Sequence, residues 1–115
     1  WMVPQSSLKE SNHTYYTFAV KYYGNEEKNV SWREFYTKYR EMGGDGFYGA
    51  WVNPHLEPAL RNKKYGNVEC KKGLCPIAED LQSRLMLFKT NYRDLNAAKK
   101  NANLLRELIE EINKK

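Results

Sequence analysis

The first clear pattern along the chain is an alternation of apolar and polar residues between His13 and Tyr23, which predicts a β-strand. Side chains at every second position of a strand share one face. On one face these are Tyr16, Phe18, Val20 and Tyr22. Aromatic and β-branched side chains suit such a pleated surface. Residues 1–12 show no period, and we interpret them as a connecting segment.

A helix follows, and the sequence marks both of its ends. Ser31 and Glu34 have the spacing of a capping box, in which each side chain accepts a hydrogen bond from the other residue's backbone N–H. Apolar residues then recur at intervals of three and four, at Trp32, Phe35, Tyr36, Tyr39 and Met42. Gly43 is predicted to end the helix, because glycine adopts the left-handed conformation without strain.

The middle of the chain is less regular. Residues 46–52 predict a short strand, which Gly49 interrupts. Two prolines make residues 53–58 a shaped loop, because proline fits neither a helix interior nor a central strand. Residues 59–74 are polar and contain glycine, so we predict a mobile segment without regular structure.

The C-terminal part predicts a helix, a buried strand and a long second helix. Pro76 stands in the first turn of the first helix, where proline is tolerated, and residues 85–88 are an apolar run typical of a buried strand. Asp94 caps the last helix. Its apolar positions are Leu95, Ala98, Ala102, Leu105, Ile109 and Ile112. This stripe fits a coiled coil or a helix packed across a sheet, and fewer than three full heptads favour the packed helix.

The predicted order is therefore strand, helix, strand, long loop, helix, strand, helix. Three strands covered by helices on one face form a two-layer α+β sandwich, with a long amphipathic helix at its C-terminal end. A chain of 115 residues is one domain by length.

The charge of the chain is positive but spread out. There are 19 Lys and Arg against 14 Asp and Glu, a net charge of +5. The basic runs are Arg61-Asn-Lys-Lys64, Lys71-Lys72, Lys99-Lys100 and Lys114-Lys115. Nucleic-acid-binding proteins concentrate such charge on one face or arm, so the sequence argues against nucleic acid as a partner. No apolar run is long enough to span a membrane and no secretory leader is visible, so we expect a cytoplasmic protein.

Cysteine and histidine give no metal motif. Cys70 and Cys75 are five residues apart, and His13 and His55 lack the paired spacing of a zinc site. Two reduced cysteines are the plainer interpretation for a cytoplasmic protein, although a small loop disulfide is geometrically possible.

Three stretches resemble one enzyme family. His13-Thr-Tyr-Tyr-Thr-Phe18 is similar to a strand that bears His or Asn before an aromatic pair. Residues 43–48 and then Asn53-Pro-His-Leu-Glu-Pro58 are similar to a helix end followed by a segment with Tyr, Pro and His. The block Cys75-Pro-Ile-Ala-Glu-Asp-Leu-Gln-Ser-Arg84 is similar to a Cys-Pro-x-Ala-Glu helix that leads into a strand near an active site. Together they resemble the C-terminal small domain of the DegT-type pyridoxal-phosphate-dependent sugar aminotransferases.

The resemblance implies that residues 13–115 are an aminotransferase small domain. Such enzymes transfer an amino group to a keto group, usually on a nucleotide-linked sugar, through a Schiff base between a lysine and pyridoxal phosphate. That lysine and the cofactor belong to a large domain or partner chain. The small domain closes one side of the cleft, where it excludes water and orients the substrate. We therefore expect no catalytic residue and no tightly bound cofactor in this chain alone.

The resemblance also implies which side chains face the cleft. The candidates for substrate binding are His55, His13, Tyr15, Tyr48, Trp51 and Arg84. Packing in the core or between domains is the alternative for Tyr48 and Trp51, and a salt bridge is the alternative for Arg84. The alternative function is a free-standing protein-binding or self-associating module without activity. Both functions predict an exposed aromatic face, which would bind a large domain or form a homodimer.

Overall fold

The computed structural model describes residues 1–114. This part of the chain is a mixed α+β fold, as the sequence predicts, with a three-stranded sheet, a two-stranded hairpin and four helices. The strands are β1 (Met2–Pro4), β2 (Phe18–Tyr22), β3 (Lys64–Tyr65), β4 (Val68–Glu69) and β5 (Leu85–Phe88). The helices are α1 (Gly24–Glu27), α2 (Trp32–Glu41), α3 (Pro76–Arg84) and α4 (Leu95–Asn113), with a 3-10 turn at Pro54–Leu56. None of these helices is long and apolar enough to cross a bilayer.

The three-stranded sheet is antiparallel and has the order β1-β2-β5. Its third strand is not the predicted one. Residues 46–52 contribute a single bridge, from Tyr48 to Leu87, while Met2–Pro4 forms the edge strand on the other side of β2. The prediction of a strand at 46–52 is therefore wrong, and residues 1–12 are not wholly a connecting segment.

Trp1 explains why the first residues join the sheet. Its ring packs edge-on against Tyr22 and Phe35, with ring centroids 5.8 and 6.0 Å away. Its indole N–H donates to Asn113 Oδ1 at 2.9 Å, and its carbonyl accepts from Tyr23 N–H at 2.6 Å. Aromatic burial of this kind anchors the edge strand.

β2 begins at Phe18 rather than at His13. Tyr15 has a φ of +49°, a left-handed conformation incompatible with a strand. Thr90 Oγ1 donates to the carbonyl oxygens of Tyr15 and Tyr16 at 2.6 and 3.0 Å, which fixes this turn. Tyr16 is consequently 93% exposed and lies outside the core.

The core lies between the sheet and the pair α2 and α4. Its buried members are Val20, Tyr22, Phe35, Tyr39, Phe47, Met86, Leu108 and Ile112. Phe47 is in the centre of an aromatic group, with the rings of Trp32, Tyr36 and Phe88 between 4.7 and 5.1 Å from it. Aromatic pairs at such distances contribute beyond the area they bury.

The helix ends marked in the sequence are confirmed. Glu34 N–H donates to Ser31 Oγ at 3.2 Å, and Ser31 N–H donates to Glu34 Oε2 at 2.7 Å, which completes the capping box. Gly43 has a φ of +89° at the end of α2. Asp94 accepts a hydrogen bond from Asn96 N–H at 2.9 Å and caps α4.

α4 packs across the sheet beside α2, with a stripe that only partly matches the predicted one. Leu95 is 67% exposed, whereas Leu108, which the predicted stripe left out, is fully buried. Apolar positions spaced alternately by three and four residues repeat every 3.5 residues on average, whereas a straight helix has 3.6 residues per turn. The line of residues that contacts the core therefore drifts around the helix relative to the predicted stripe. In the second half of the helix the predicted positions Leu105, Ile109 and Ile112 do lie against the core, where Leu104 and Leu108 join them.

Residues 49–75 leave the core as a long excursion. Within it, the segment predicted to lack regular structure contains the β3–β4 hairpin, in which Lys64 opposes Glu69 and Tyr65 opposes Val68. The radius of gyration is 17.1 Å, whereas a compact domain of this size has about 13 Å. The molecule is therefore elongated, and both hairpin strands are largely exposed.

Candidate functional site

The six candidate residues lie in four places. His13 and Tyr15 are together in the turn before β2, Tyr48 bridges to β5 with Trp51 three residues after it, His55 lies in the excursion, and Arg84 ends α3. The structure thus brings His13 and Tyr15 together but does not gather the set into one cleft.

His55 is buried and paired. The 3-10 turn Pro54–Leu56 leaves its side chain 8% exposed, and Nε2 lies 2.8 Å from Glu79 Oε1. Glu79 also accepts backbone N–H bonds from Gly73 at 2.9 Å and Cys75 at 3.2 Å. These contacts, that from His55 first and that from Gly73 next, hold the pKa of Glu79 below its ordinary value. The group ties both ends of the excursion to the start of α3.

Glu79 is the residue that sequence reasoning missed at this point. It lies in the first turn of α3, where a carboxylate is favoured by the helix dipole and can accept unsatisfied N–H groups. The sequence signal was available in Cys75-Pro-Ile-Ala-Glu79, because an acidic residue just inside a proline-marked helix start is typical of such capping. That local signal does not indicate that Glu79 would pair with His55, which lies 24 residues earlier in the chain.

Arg84 makes the salt bridges that were its alternative interpretation. Its guanidinium binds Asp80 through Nε at 2.9 Å and Glu26 through Nη1, and it lies 5.0 Å from the ring of Tyr23. Hydrogen bonds to Asp80 and then Glu26 raise the pKa of Arg84 above its ordinary value. Asp80 also binds Lys21 of β2 at 3.1 Å, so this network fastens α3 to the sheet.

His13 and Tyr15 form a local pair at the surface. Their ring centroids are 4.4 Å apart, and Tyr15 N–H donates to His13 Nδ1 at 2.8 Å. The other ring nitrogen of His13 lies 2.8 Å from the side-chain amide of Gln5. Both ring nitrogens of His13 are therefore engaged within the turn, while Tyr15 is 38% exposed.

Tyr48 and Trp51 belong to the most exposed aromatic segment beside the sheet. Tyr48 N–H donates to Leu87 O at 3.0 Å and Leu87 N–H donates to Tyr48 O at 2.8 Å. Directly opposed residues share a face, so Tyr48 points to the face of Leu87, away from α2 and α4. Tyr48 is 71% exposed, Trp51 90% and Val52 51%. We call residues 48–52 the aromatic edge.

The aromatic edge continues onto the face of the sheet that points away from α2 and α4, which we call the outer face and which α3 reaches through Asp80 and Lys21. The strand register puts Val3, Lys21 and Leu85 in one row of that face and Ala19 and Leu87 in the next. Val3 is 50% exposed. Lys21, the charged residue of these rows, is bound by Asp80. The row next to the aromatic edge consists of Ala19 and Leu87, so that part of the face is apolar.

A cavity of about 260 Å³ lies between β5 and the first half of α4. Its polar lining consists of Asp45, Lys89, Tyr92 and Asn101, which bind one another or the backbone. Asn101 Oδ1 accepts from Asp45 N–H at 2.6 Å and from the hydroxyl of Tyr39 at 3.2 Å, and Lys89 Nζ lies 3.4 Å from Asp45. Burial raises the pKa of Tyr39 to about 12. The cavity holds none of the six candidates.

Comparison with protein-family models, curated proteins and solved structures found no match to this chain. The resemblance to the DegT-type aminotransferases is therefore a prediction that rests on the residues quoted for it. Within residues 1–114, no three His, Cys, Asp or Glu side chains are grouped so that they could hold a metal ion.

Proposed function

We propose that this chain is the small domain of a pyridoxal-phosphate-dependent aminotransferase and docks through its outer face and aromatic edge onto the large domain that carries the cofactor. The acceptor would be a nucleotide-linked keto-sugar. The observation that carries the proposal is the exposure of Tyr48, Trp51 and Val52 beside an apolar part of the sheet. Contiguous apolar surface of this kind marks a contact with another protein surface.

The exposed rings are large enough to supply much of the free energy that docking needs. Tyr48 and Trp51 together offer roughly 300 Å² of burial, or ~7 kcal/mol at ~25 cal/mol per Å². Association costs roughly 4–15 kcal/mol in lost freedom, so the two rings offset a large share of that cost. The remaining outer face would add to this.

The connection between α3 and β5 also supports the proposal. Arg84 ends α3 and Leu85 begins β5 without a linker. In the aminotransferases that this chain resembles, the Cys-Pro-x-Ala-Glu helix likewise leads into a strand. The ion pairs of Arg84 and Asp80 fix that helix against β2. In the assembled enzyme the cofactor supplies an electron sink, while the aromatic edge of this chain excludes water from the cleft and positions the acceptor.

The same surface also supports the alternative, a free-standing module that binds another protein or itself. An apolar face that docks onto a large domain can equally pair with its own copy in a symmetric dimer. The two functions differ in where the cofactor lysine lies, and that difference can be measured.

The decisive experiment is to express the chain together with the coding sequence that precedes it. We expect a yellow protein whose cofactor is trapped by borohydride on an upstream lysine and which transaminates with glutamate as the donor. The chain alone should form no stoichiometric Schiff base. A one-to-one adduct on a lysine of this chain, or a reading frame that begins at Met2, would refute the proposal.

A second measurement tests the surface itself. Tyr48→Ser with Trp51→Ser should abolish binding of the chain to the separately expressed upstream part, and Leu8→Ser, at a residue 79% exposed outside this surface, should not. If the chain dimerises alone and the double variant is monomeric, the self-associating module is favoured instead.

A further inference from the structure

The hairpin brings together two basic runs that are separate in the sequence. Residues 61–72 hold five of the chain's 19 Lys and Arg and a single acidic residue, Glu69. β3 and β4 place Arg61-Asn-Lys-Lys64 and Lys71-Lys72 on the two adjacent arms of one protruding hairpin. Charge that is dispersed along the sequence is thus concentrated in space.

Most of these cations have no anionic partner. Lys71 binds Glu69 at 2.7 Å, and the Nε of Arg61 donates to Leu56 O at 3.2 Å. Lys63, Lys64 and Lys72 make no ion pair within the described part of the chain. Like charges held close together repel, so this arrangement is stabilised by an added anion.

Packing does not account for the hairpin. Tyr65 is 55% exposed and Val68 is 49% exposed, although both are residues that a hairpin normally buries. The base is nevertheless well fixed, because Asn62 N–H donates to Cys70 O at 2.6 Å and Cys70 N–H donates to Lys63 O at 2.9 Å. Gly66, with a φ of +60°, supplies the tight turn. The hairpin thus presents exposed side chains on a defined backbone.

The two faces of the hairpin differ. Because side chains alternate along a strand, Lys63 shares a face with Tyr65, while Lys64 lies on the opposite face with Glu69. A free ammonium group next to an exposed aromatic ring suits a ligand with a phosphate group and a flat ring. The face of Lys64 is less suited, because Glu69 would repel a phosphate.

We propose that the hairpin of residues 61–72 binds a nucleoside diphosphate group, with Lys63 and Lys72 contacting the phosphates and Tyr65 stacking on the base. The two unpaired lysines assigned to the phosphates, Lys63 and Lys72, balance two of the negative charges of a diphosphate, and strands of two residues are too short for a nucleic-acid groove that spans many nucleotides. For its biological role the inference rests on the proposed function, since it assigns to this hairpin the nucleotide half of the acceptor.

Binding is tested on the chain as it stands, by titrating UDP and ADP at low salt and following backbone amide shifts by NMR. We expect saturable shifts confined to residues 61–72. Lys63→Gln and Tyr65→Ala should each weaken binding by about fivefold. Lys64→Gln, one residue away and with the same loss of charge, should change it by less than about twofold, as should Lys99→Gln on α4.

Three outcomes would overturn the inference. Equal losses in Lys63→Gln, Lys64→Gln and Lys99→Gln would mean general attraction of an anion to a basic protein. Pyrophosphate binding as tightly as UDP would exclude the base contact, and oligothymidylate binding far more tightly, with a steep salt dependence, would indicate nucleic acid. The result is separable from the proposed function, because nucleotide binding needs neither the cofactor nor the upstream sequence.

Discussion

Leu108 and Leu95 on α4 provide the sharpest test of how the core is built. Leu108 has no exposed surface and packs in the core, whereas Leu95 is 67% exposed in the first turn of the same helix. Leu108→Ala removes a fully buried side chain and leaves a cavity, which lowers the free energy of unfolding by about 2–5 kcal/mol. Leu95→Ala should lower it by less than ~0.5 kcal/mol, because little apolar surface is lost.

The pair is matched in residue type, substitution and helix, so its difference reports burial alone. Urea unfolding followed by circular dichroism gives both free energies, and the denaturant slope should stay unchanged in both variants. The apolar stripe read from the sequence includes Leu95 and omits Leu108, so it predicts the reverse order. A loss below about 1 kcal/mol for Leu108→Ala, or a larger loss for Leu95→Ala, would refute the packing described for α4.

Other predictions concern single groups. The lowered pKa of Glu79 means that its charged form stabilises the fold above pH 4.5 and that this contribution is lost as the pH falls through the lowered pKa. The stability difference between wild type and Glu79→Gln should therefore shrink in acid, and a pH-independent difference would contradict this. Gly43→Ala, at a φ of +89° with no atom near the added methyl group, should cost about 1 kcal/mol through backbone strain alone; an unchanged melting temperature would argue against it. The pKa of Tyr39 is raised to about 12, so its contribution is complete below pH 10 and is lost as the pH rises through 12; Tyr39→Phe should reduce alkaline destabilisation, measured by the unfolding midpoint.

Local signals in the sequence predicted local structure well. The capping box of Ser31 and Glu34, the glycine stop at Gly43 and the cap at Asp94 each depend on groups a few residues apart, and all are confirmed. The α+β class followed from these helices together with the period-two and buried apolar runs of β2 and β5.

Long-range pairing could not be predicted in the same way. The choice of Met2–Pro4 over residues 46–52 as the third strand depends on Trp1 reaching Tyr22 and Phe35, contacts that no local pattern encodes. The candidate site shows the same limit. The sequence predicts His55 as a substrate-binding residue, but in the structure it is buried and paired with Glu79, 24 residues later.

These long-range contacts also explain how the two proposed surfaces keep their positions. Lys21 of β2 binds Asp80, Asp80 binds Arg84, and these ion pairs hold α3 to the sheet. In the first turn of α3, next to Asp80, Glu79 holds His55 and the N–H groups of Gly73 and Cys75 near the two ends of the excursion.

The excursion therefore adds little to the core, yet it is fastened to the sheet at both ends through one helix. Fixing exposed residues in this way costs conformational entropy that their own burial does not offset. A ligand or partner that bound there would offset that cost, because a preorganised surface loses less freedom on binding. α3 thus anchors the segment that carries Trp51, Val52 and the basic hairpin, whereas Tyr48 is held by its bridge to Leu87; these are the exposed side chains to which the two proposals assign binding.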